Sequence, residues 1–300
     1  MAPGRGSITS DREDEFLSHL PPDTPIIHYD PQLNLESLVP PNSLPYDYFV
    51  VIKAFPSDLL GKLDEKLPGR IDYSFSSQTL ILKMSAEPHE QAADRFGILL
   101  GHLAIQMNVF RRINCMASTL VRGHDRAKQA DRAWLPEPRQ QEKQIPTVAL
   151  EVGYSQTSAK LENDIKWWLN EANGRMKMGI TIDIKRGSGN IEIKSWVPTR
   201  PFPRHAYITA HQRQVVDRYY DQQPQVSQRI LVKKGKNGQP PTITGGDLVI
   251  PFKYLFLIEP GEGEGDFIFT EDMLLHDIAD FVWRGIEIGE EEEKKRLRKK

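Results

Sequence analysis

The chain has 300 residues, with 39 Lys and Arg against 41 Asp and Glu and a formal net charge of −2. With 39% hydrophobic and 27% charged residues it reads as a soluble globular protein, and its charge balance supplies no global basic field to attract nucleic acid, although a local groove can be basic inside a neutral protein. The single cysteine, Cys115, excludes an intrachain disulfide and a cysteine-based zinc site and fits a reducing compartment, nuclear or cytoplasmic.

Residues 1–25, rich in Pro, Gly, Ser and Asp, predict a disordered N-terminal segment with neither a secretory signal nor a membrane anchor. No later stretch approaches the roughly 20 apolar residues of a spanning helix, so no membrane partner is expected. β-Formers thicken over Tyr46–Lys53, Leu59–Leu67 suits a short helix, and Arg70–Ser74 and Thr79–Lys83 read as two strands across a Ser-rich turn. Pro88–Met107 predicts a helix: Pro88 fits the first turn, and Ala92, Phe96, Leu99, Leu100, Leu103 and Met107 form one stripe.

Strands are expected near Met116–Val121 and Ala130–Trp134, and the apolar run Thr147–Gly153 has the look of a buried central strand carrying one carboxylate, Glu151. The stripe Leu161, Ile165, Trp168, Leu169 and Ala172 predicts the next helix. Ile180, Ile182 and Ile184, a Gly187–Asn190 turn, then Ile191, Ile193 and Val197 make a hairpin. Beyond it, Ala210–Tyr220 suits a helix, Arg229–Lys233 and Asp247–Pro251 suit strands, and Thr270–Trp283 is amphipathic. The chain thus divides into a core over 26–200, a C-terminal extension packed on it over 201–286, and a charged tail over 287–300. That tail, Lys294–Lys300 after Glu290–Glu293, fits either a nuclear-import signal or phosphate contact, or a ladder of ion pairs four residues apart.

The chemistry-bearing stretch is strand–loop–strand–helix. Asp131 and Glu151 fall on adjacent strands, where two carboxylates can converge on one divalent cation. A charge inside an apolar strand is costly unless paired or metal-bound, so Glu151 calls for a partner. The plainer alternatives are a solvated loop aspartate at 131 and a buried Glu151–arginine pair.

Three pieces carry a resemblance: Asp131-Arg-Ala-Trp134-Leu-Pro136; Pro146-Thr-Val-Ala-Leu-Glu151-Val-Gly-Tyr-Ser155-Gln156; and Leu161-x-x-Asp164-x-Lys166-Trp-Trp168-Leu169. Together with Trp196, Gly246–Phe252 and Trp283 they resemble fungal proteins related to the compact restriction-endonuclease branch of the PD-(D/E)XK nuclease superfamily, over about residues 45–285. The resemblance implies an α/β, restriction-endonuclease-like mixed β-sheet flanked by helices. It implies Asp131 and Glu151 as ligands of Mg²⁺ in a nuclease that hydrolyses DNA, with metal and lysine activating water and stabilising charge. It leaves a homodimer open, since many such nucleases work in pairs.

Two departures matter. Ala130 stands where the motif has Pro, and Gly153 stands where it has Lys. The lysine role then moves to Lys166 on the following helix, with Lys160 second, and Gln156 could contact the same site. Lys166 reads equally as a surface partner of Glu162, and Trp167 and Trp168 as packing residues. Glu90 takes the first-helix acid position, but on a helical wheel Glu90 and Asp94 point away from the core while His89 points in, as a satisfied core or cap histidine. A rival mapping uses Asp183-Ile-Lys185 and Glu192-Ile-Lys194, although both lie on the polar face of a hairpin, where cross-strand charge pairs are ordinary. The Gly153 departure and the neutral charge also admit a catalytically inactive relative that binds nucleic acid or protein, and a purely structural role with Glu151 ion-paired is a third reading.

Overall fold

The computed structural model describes residues 16–298 apart from 41–45, 64–65, 117–118, 138–144, 155–157, 172–174, 200–222 and 237. In chain order its elements are β1 (Ile26–His28), β2 (Tyr48–Lys53), the short helix α1 (Leu60–Leu63), β3 (Arg70–Ser74), β4 (Thr79–Met84) and the long helix α2 (Glu87–Gln106). Then come β5 (Ile113–Cys115), β6 (Val121–Arg122), β7 (Arg126–Lys128), β8 (Arg132–Pro136), β9 (Val148–Tyr154) and α3 (Ser158–Glu171). The hairpin β10 (Met178–Ile184) and β11 (Ile191–Val197) follows, then β12 (Gln225–Lys233), β13 (Thr242–Thr244), β14 (Leu248–Ile250), α4 (Phe252–Phe256), β15 (Phe267–Phe269) and α5 (Asp280–Leu297). The architecture is mixed α/β, with mixed sheets flanked by helices and a C-terminal helix, as the sequence led us to expect.

A six-stranded sheet runs β1-β2-β4-β3-β7-β6 and a seven-stranded one β13-β12-β11-β10-β9-β8-β5, with β14–β15 as a separate ribbon. Strand alternation explains how the first sheet is used. Phe49 lies opposite Lys83 and Val51 opposite Ile81; Arg70 pairs with Lys83, and Asp72 with Ile81 and Lys128. Directly opposed residues project from one face. That face is therefore half apolar (Phe49, Val51, Ile81) and half charged (Arg70, Asp72, Lys83, Lys128). The other face, with Val50, Ile52, Ile71, Tyr73, Leu80, Leu82 and Ala127, packs on Phe55, Leu60 and Leu67 in an apolar core of its own.

The second sheet obeys the same parity. Val148, Leu150, Val152 and Tyr154 of β9 pack with α2, whose predicted stripe is buried at Ala92, Phe96, Leu99 and Leu100 and partly buried at Leu103 and Met107, with Ala104 joining it. Ala149 packs instead with Ile165, Trp168 and Leu169 of α3, so Glu151, two residues on, falls on the α3 side. β9 and β10 are parallel and α3 is their crossover. Gly179 lets α3 lie close, since a Cβ there would sit 2.8 Å from Ile165 Cδ1.

Some expected boundaries move. Of the strand expected near Met116–Val121, residues 117–118 lie outside the described residues; β5 ends just before the stretch and β6 begins at Val121. β8 starts at Arg132, which puts Asp131 in the bend just before the strand. β12 pairs antiparallel with β11, with a register shift between Ser195 and Trp196, so the sheet takes in a strand from beyond residue 200, whereas Ala210–Tyr220 lies outside the described residues. The Thr270–Trp283 helix opens with π-type turns at Met273–Ala279 and continues as α5 into the charged tail, where Lys294 lies 3.8 Å from Glu290. Residues 16–25, expected to be disordered, are placed: a helical turn there sets Phe16, Leu17 and Leu20 against Phe49, Val51 and Ile81. No helix of the described residues is long and apolar enough to cross a membrane.

Candidate functional site

Asp131 sits where the two sheets meet, with a fully buried side chain. The backbone N–H of Val152 in β9 donates to its Oδ2 at 2.7 Å, and Lys83 Nζ from the first sheet donates to the same oxygen at 3.0 Å. Lys83 also donates to the carbonyl of Val152 at 2.7 Å, closing a small ring around β9. Oδ1 faces Arg70 Nε at 2.8 Å and His89 Nε2 at 3.1 Å. Neither N–H points at the oxygen, so these three buried atoms are held by charge and not by directed hydrogen bonds. His89 is itself bracketed, because its Nδ1 lies 3.0 Å from Asp47 Oδ2. Asp47 is anchored in turn by the backbone N–H groups of Ala86 and Tyr154.

The electrostatics follow from that cage. Burial alone would raise the Asp131 carboxyl, but His89, Lys83 and Arg70 together hold it well below the ordinary carboxylate range. Burial alone would depress His89; the flanking Asp131 and Asp47 more than offset it and push the imidazole up to about 9, so it is cationic at neutral pH.

Glu151 belongs to a second, connected cluster. Trp168 Nε1 donates to its Oε1 at 2.6 Å and Lys128 Nζ stands 3.5 Å from the same atom. Burial pushes this carboxyl up, with Lys128 opposing and Asp131 and Asp164 adding to the rise. Lys128 also reaches Asp164 at 3.1 Å and Asp72 at 3.7 Å. Lys160 donates to Asp164 at 2.6 Å, and Arg126 bridges Asp72 and Asp164. On α3, Lys160, Asp164 and Trp168 recur every four residues, so one stripe of a single helix supplies all three.

Asp131, Glu151, Asp72, Arg70, Lys83, Lys128 and Lys160 surround one cavity of about 10 Å³, at the threshold for a single water molecule. The two acids read from the sequence do share a pocket. The fit to Mg²⁺ is a separate matter, because that ion demands about six oxygens and sheds its waters reluctantly. Both Asp131 oxygens face cations, one Glu151 oxygen is taken by Trp168, and Arg70, Lys83, Lys128, Lys160, Arg126 and protonated His89 outnumber Asp47, Asp72, Asp131, Glu151 and Asp164. Among the described residues no group of three or more His, Cys, Asp or Glu is placed to hold a metal. This donor set does not suit a divalent cation.

The remaining residues singled out in the sequence are placed as follows. Glu90 is outside the pocket, 3.3 Å from Arg70 and 3.9 Å from Arg132, and Asp94 pairs with Arg132 on the same outer face. Lys166 lies half-buried on α3 and does not line the cavity; Lys160 does. Gln156 lies outside the described residues. Asp183 and Glu192 oppose each other across the hairpin and take local partners, Lys185 at 2.5 Å and Arg229 at 2.6 Å, so the rival acid-x-Lys mapping builds no shared site. Sequence reasoning missed Asp47, Arg70, Asp72, Lys83, Arg126 and Lys128. The signal available for four of them was charge at alternate positions of otherwise apolar strands: Arg70 and Asp72 in β3, Lys83 in β4, and Lys128 beside buried Ala127.

No family model matches the chain, and no curated protein matches it. Among solved structures, a "putative nuclease belonging to DUF820" from Anabaena variabilis aligns over 73% of this chain and 96% of its own, at 11% identity and a TM-score of 0.38. A likeness at that level says nothing of activity.

Proposed function

We propose that the chain is a catalytically silent module on a restriction-endonuclease-like plan, working by binding nucleic acid and not by cutting it. The observation behind this reading is the cage around Asp131: an acid whose two oxygens face Val152 N–H, Lys83, Arg70 and His89 is already neutralised by fixed cations and is a poor ligand for a hydrated metal. The plan itself is supported by acids entering from the start of β8 and from β9, with α3 crossing over to parallel β10. Nucleic acid, DNA first, is the partner class that the motif resemblance supplies.

A second reading, a Mg²⁺-dependent nuclease using Asp131 and Glu151, draws on one specific observation. Both acids line one cavity with Lys83 and Lys128, and Asp131 Oδ1 lacks a directed hydrogen bond. Thermal unfolding with Mg²⁺ separates the two. A metal at about 100 times its dissociation constant would stabilise the fold by about 2.7 kcal/mol, whereas the silent module melts at the same temperature with and without it. Cleavage of mixed DNA and RNA is expected to be absent from wild type and Glu151→Gln alike, while fluorescence anisotropy detects oligonucleotide binding by both. Metal-dependent cutting that Glu151→Gln abolishes would reverse the assignment.

A further inference from the structure

The charged cavity has an apolar doorstep. Phe49 and Ile81 line it, yet with Val51 they form a small buried cluster whose only apolar cover among the described residues is Phe16, Leu17 and Leu20. The N-terminal turn also reaches the ion-pair network. The Arg126 guanidinium lies 5.2 Å from the Phe16 ring and 5.4 Å from the Trp167 ring of α3, between an aromatic from the turn and one from the core. Arg126 bridges Asp72 and Asp164, which share Lys128 and Lys160. Phe16 therefore touches both halves of that face, apolar and charged. Behind the turn the chain is fixed, since β1 pairs in parallel with β2 and Val51 N donates to Pro25 O at 2.9 Å. Pro21 and Pro22 lie between the anchored strand and the turn.

We propose that residues 16–20 are a strap that closes the Asp131–Glu151 cavity, so that Lys128 and Lys160 meet solvent or an anionic ligand only when it lifts. Phe16, Leu17 and Leu20 are half-buried against that cluster and Phe16 adds a cation–ring contact, and the hinge is the Pro21–Pro22 link, with β1 still paired. Such locally held segments open far more often than a whole domain unfolds. Closure bears on function only under the binding reading above, but it is tested without any ligand.

The experiment is lysine acylation on the full chain, read peptide by peptide by mass spectrometry, with exposed Lys62 as the internal reference. In wild type Lys128 and Lys160 should label slowly. In Phe16→Ser/Leu17→Ser/Leu20→Ser their labelling should rise about tenfold, while amide exchange in β9 and β10 stays protected. Unchanged labelling overturns the strap. Should the triple variant lose β9–β10 protection as well, the milder Phe16→Ala decides: a selective rise at Lys128 and Lys160 supports the strap, and a rise seen only with loss of those amides makes the turn part of the core and overturns it. An oligonucleotide added to the opened variant tests the binding reading separately, since it protects Lys128 only if that reading holds and leaves the strap result untouched.

Discussion

Asp131 is the residue whose removal would leave the most charge stranded. It neutralises Lys83 and Arg70, faces His89 and accepts from Val152 N–H, all in a place water barely enters. Removing one partner of a buried pair costs about 3–5 kcal/mol, because the other charges remain buried and uncompensated. Asp131→Ala should therefore lose stability on that scale in urea unfolding; a loss under about 1 kcal/mol, the range of exposed pairs, would mean the cage contributes little. His89 makes the same centre sensitive to pH. Its folded value, about 9, lies above its ordinary 6.5, so its contribution is fully present below pH 6.5 and is lost as pH rises through about 9. The shift corresponds to roughly 3 kcal/mol. Burial and the nearby Lys128 pull Lys160 the other way, so the informative quantity is the difference between proteins. Wild type should lose stability between pH 6.5 and 9 relative to His89→Gln, and parallel pH curves for the two would remove His89 as the source.

Helices and strands with one apolar stripe were legible; short strands at the meeting of two sheets were not. The 3.6-residue stripe of α2 survives because it buries one continuous face, and the Ile row of β10 and β11 enters the main core as its alternation predicts, although the opposite row, with Thr181, Asp183 and Glu192, is buried as well. β5, β6 and β7 have only two or three residues each, too few for a period to show, and their place is fixed by pairing with distant strands. The same contrast runs through the site. Glu151 stood out because it interrupts an apolar run, and His89 because the helical wheel turned it inward. Lys83 and Lys128 belong to no motif, and their place in the site comes from the cross-strand register that puts them opposite Arg70 and Asp72. Lys166 drew attention through its motif position, yet the i, i+4 stripe 160–164–168 is the one that faces β9. What holds that stripe in place is the close approach of α3 at Gly179. A methyl there would meet Ile165 Cδ1 at 2.8 Å and Cγ2 at 2.9 Å, and overpacking of this kind costs about 1–3 kcal/mol. Gly179→Ala should destabilise by that amount, and Ile165→Val, which removes Cδ1, should recover part of it. Additive losses in the double variant would show that the two residues do not press on each other.

At the scale of the molecule the ion-pair network is a joint. Lys83, Arg70, Asp72, Arg126 and Lys128 come from the first sheet; Asp131, Glu151, Lys160 and Asp164 come from the β8–β9–α3 unit of the second. The main apolar cores lie on the outer sides of the two sheets, and only Val121 of β6 joins the cluster of β8, β9 and α3, so the charges carry most of the contact at this interface. Burial shields such pairs from salt, which screens mainly exposed charges, and cooperative unfolding of the two halves then depends on them. The distribution of tryptophan makes this measurable. All five, Trp134, Trp167, Trp168, Trp196 and Trp283, lie on β8, α3, β11 or α5, so their fluorescence follows mainly the second sheet, with Trp167 also sensing Arg126 across the joint, whereas far-UV circular dichroism follows both sheets. In wild type the two probes should give one urea midpoint, little moved by salt, as coincident transitions of a two-state unit require. In Asp131→Ala the joint loses the acid that its first-sheet cations grip, and the fluorescence and dichroism midpoints should separate. Coincident midpoints in a variant that is clearly destabilised would mean that apolar contacts couple the sheets, and the network would then be a tenant of the interface instead of its cause.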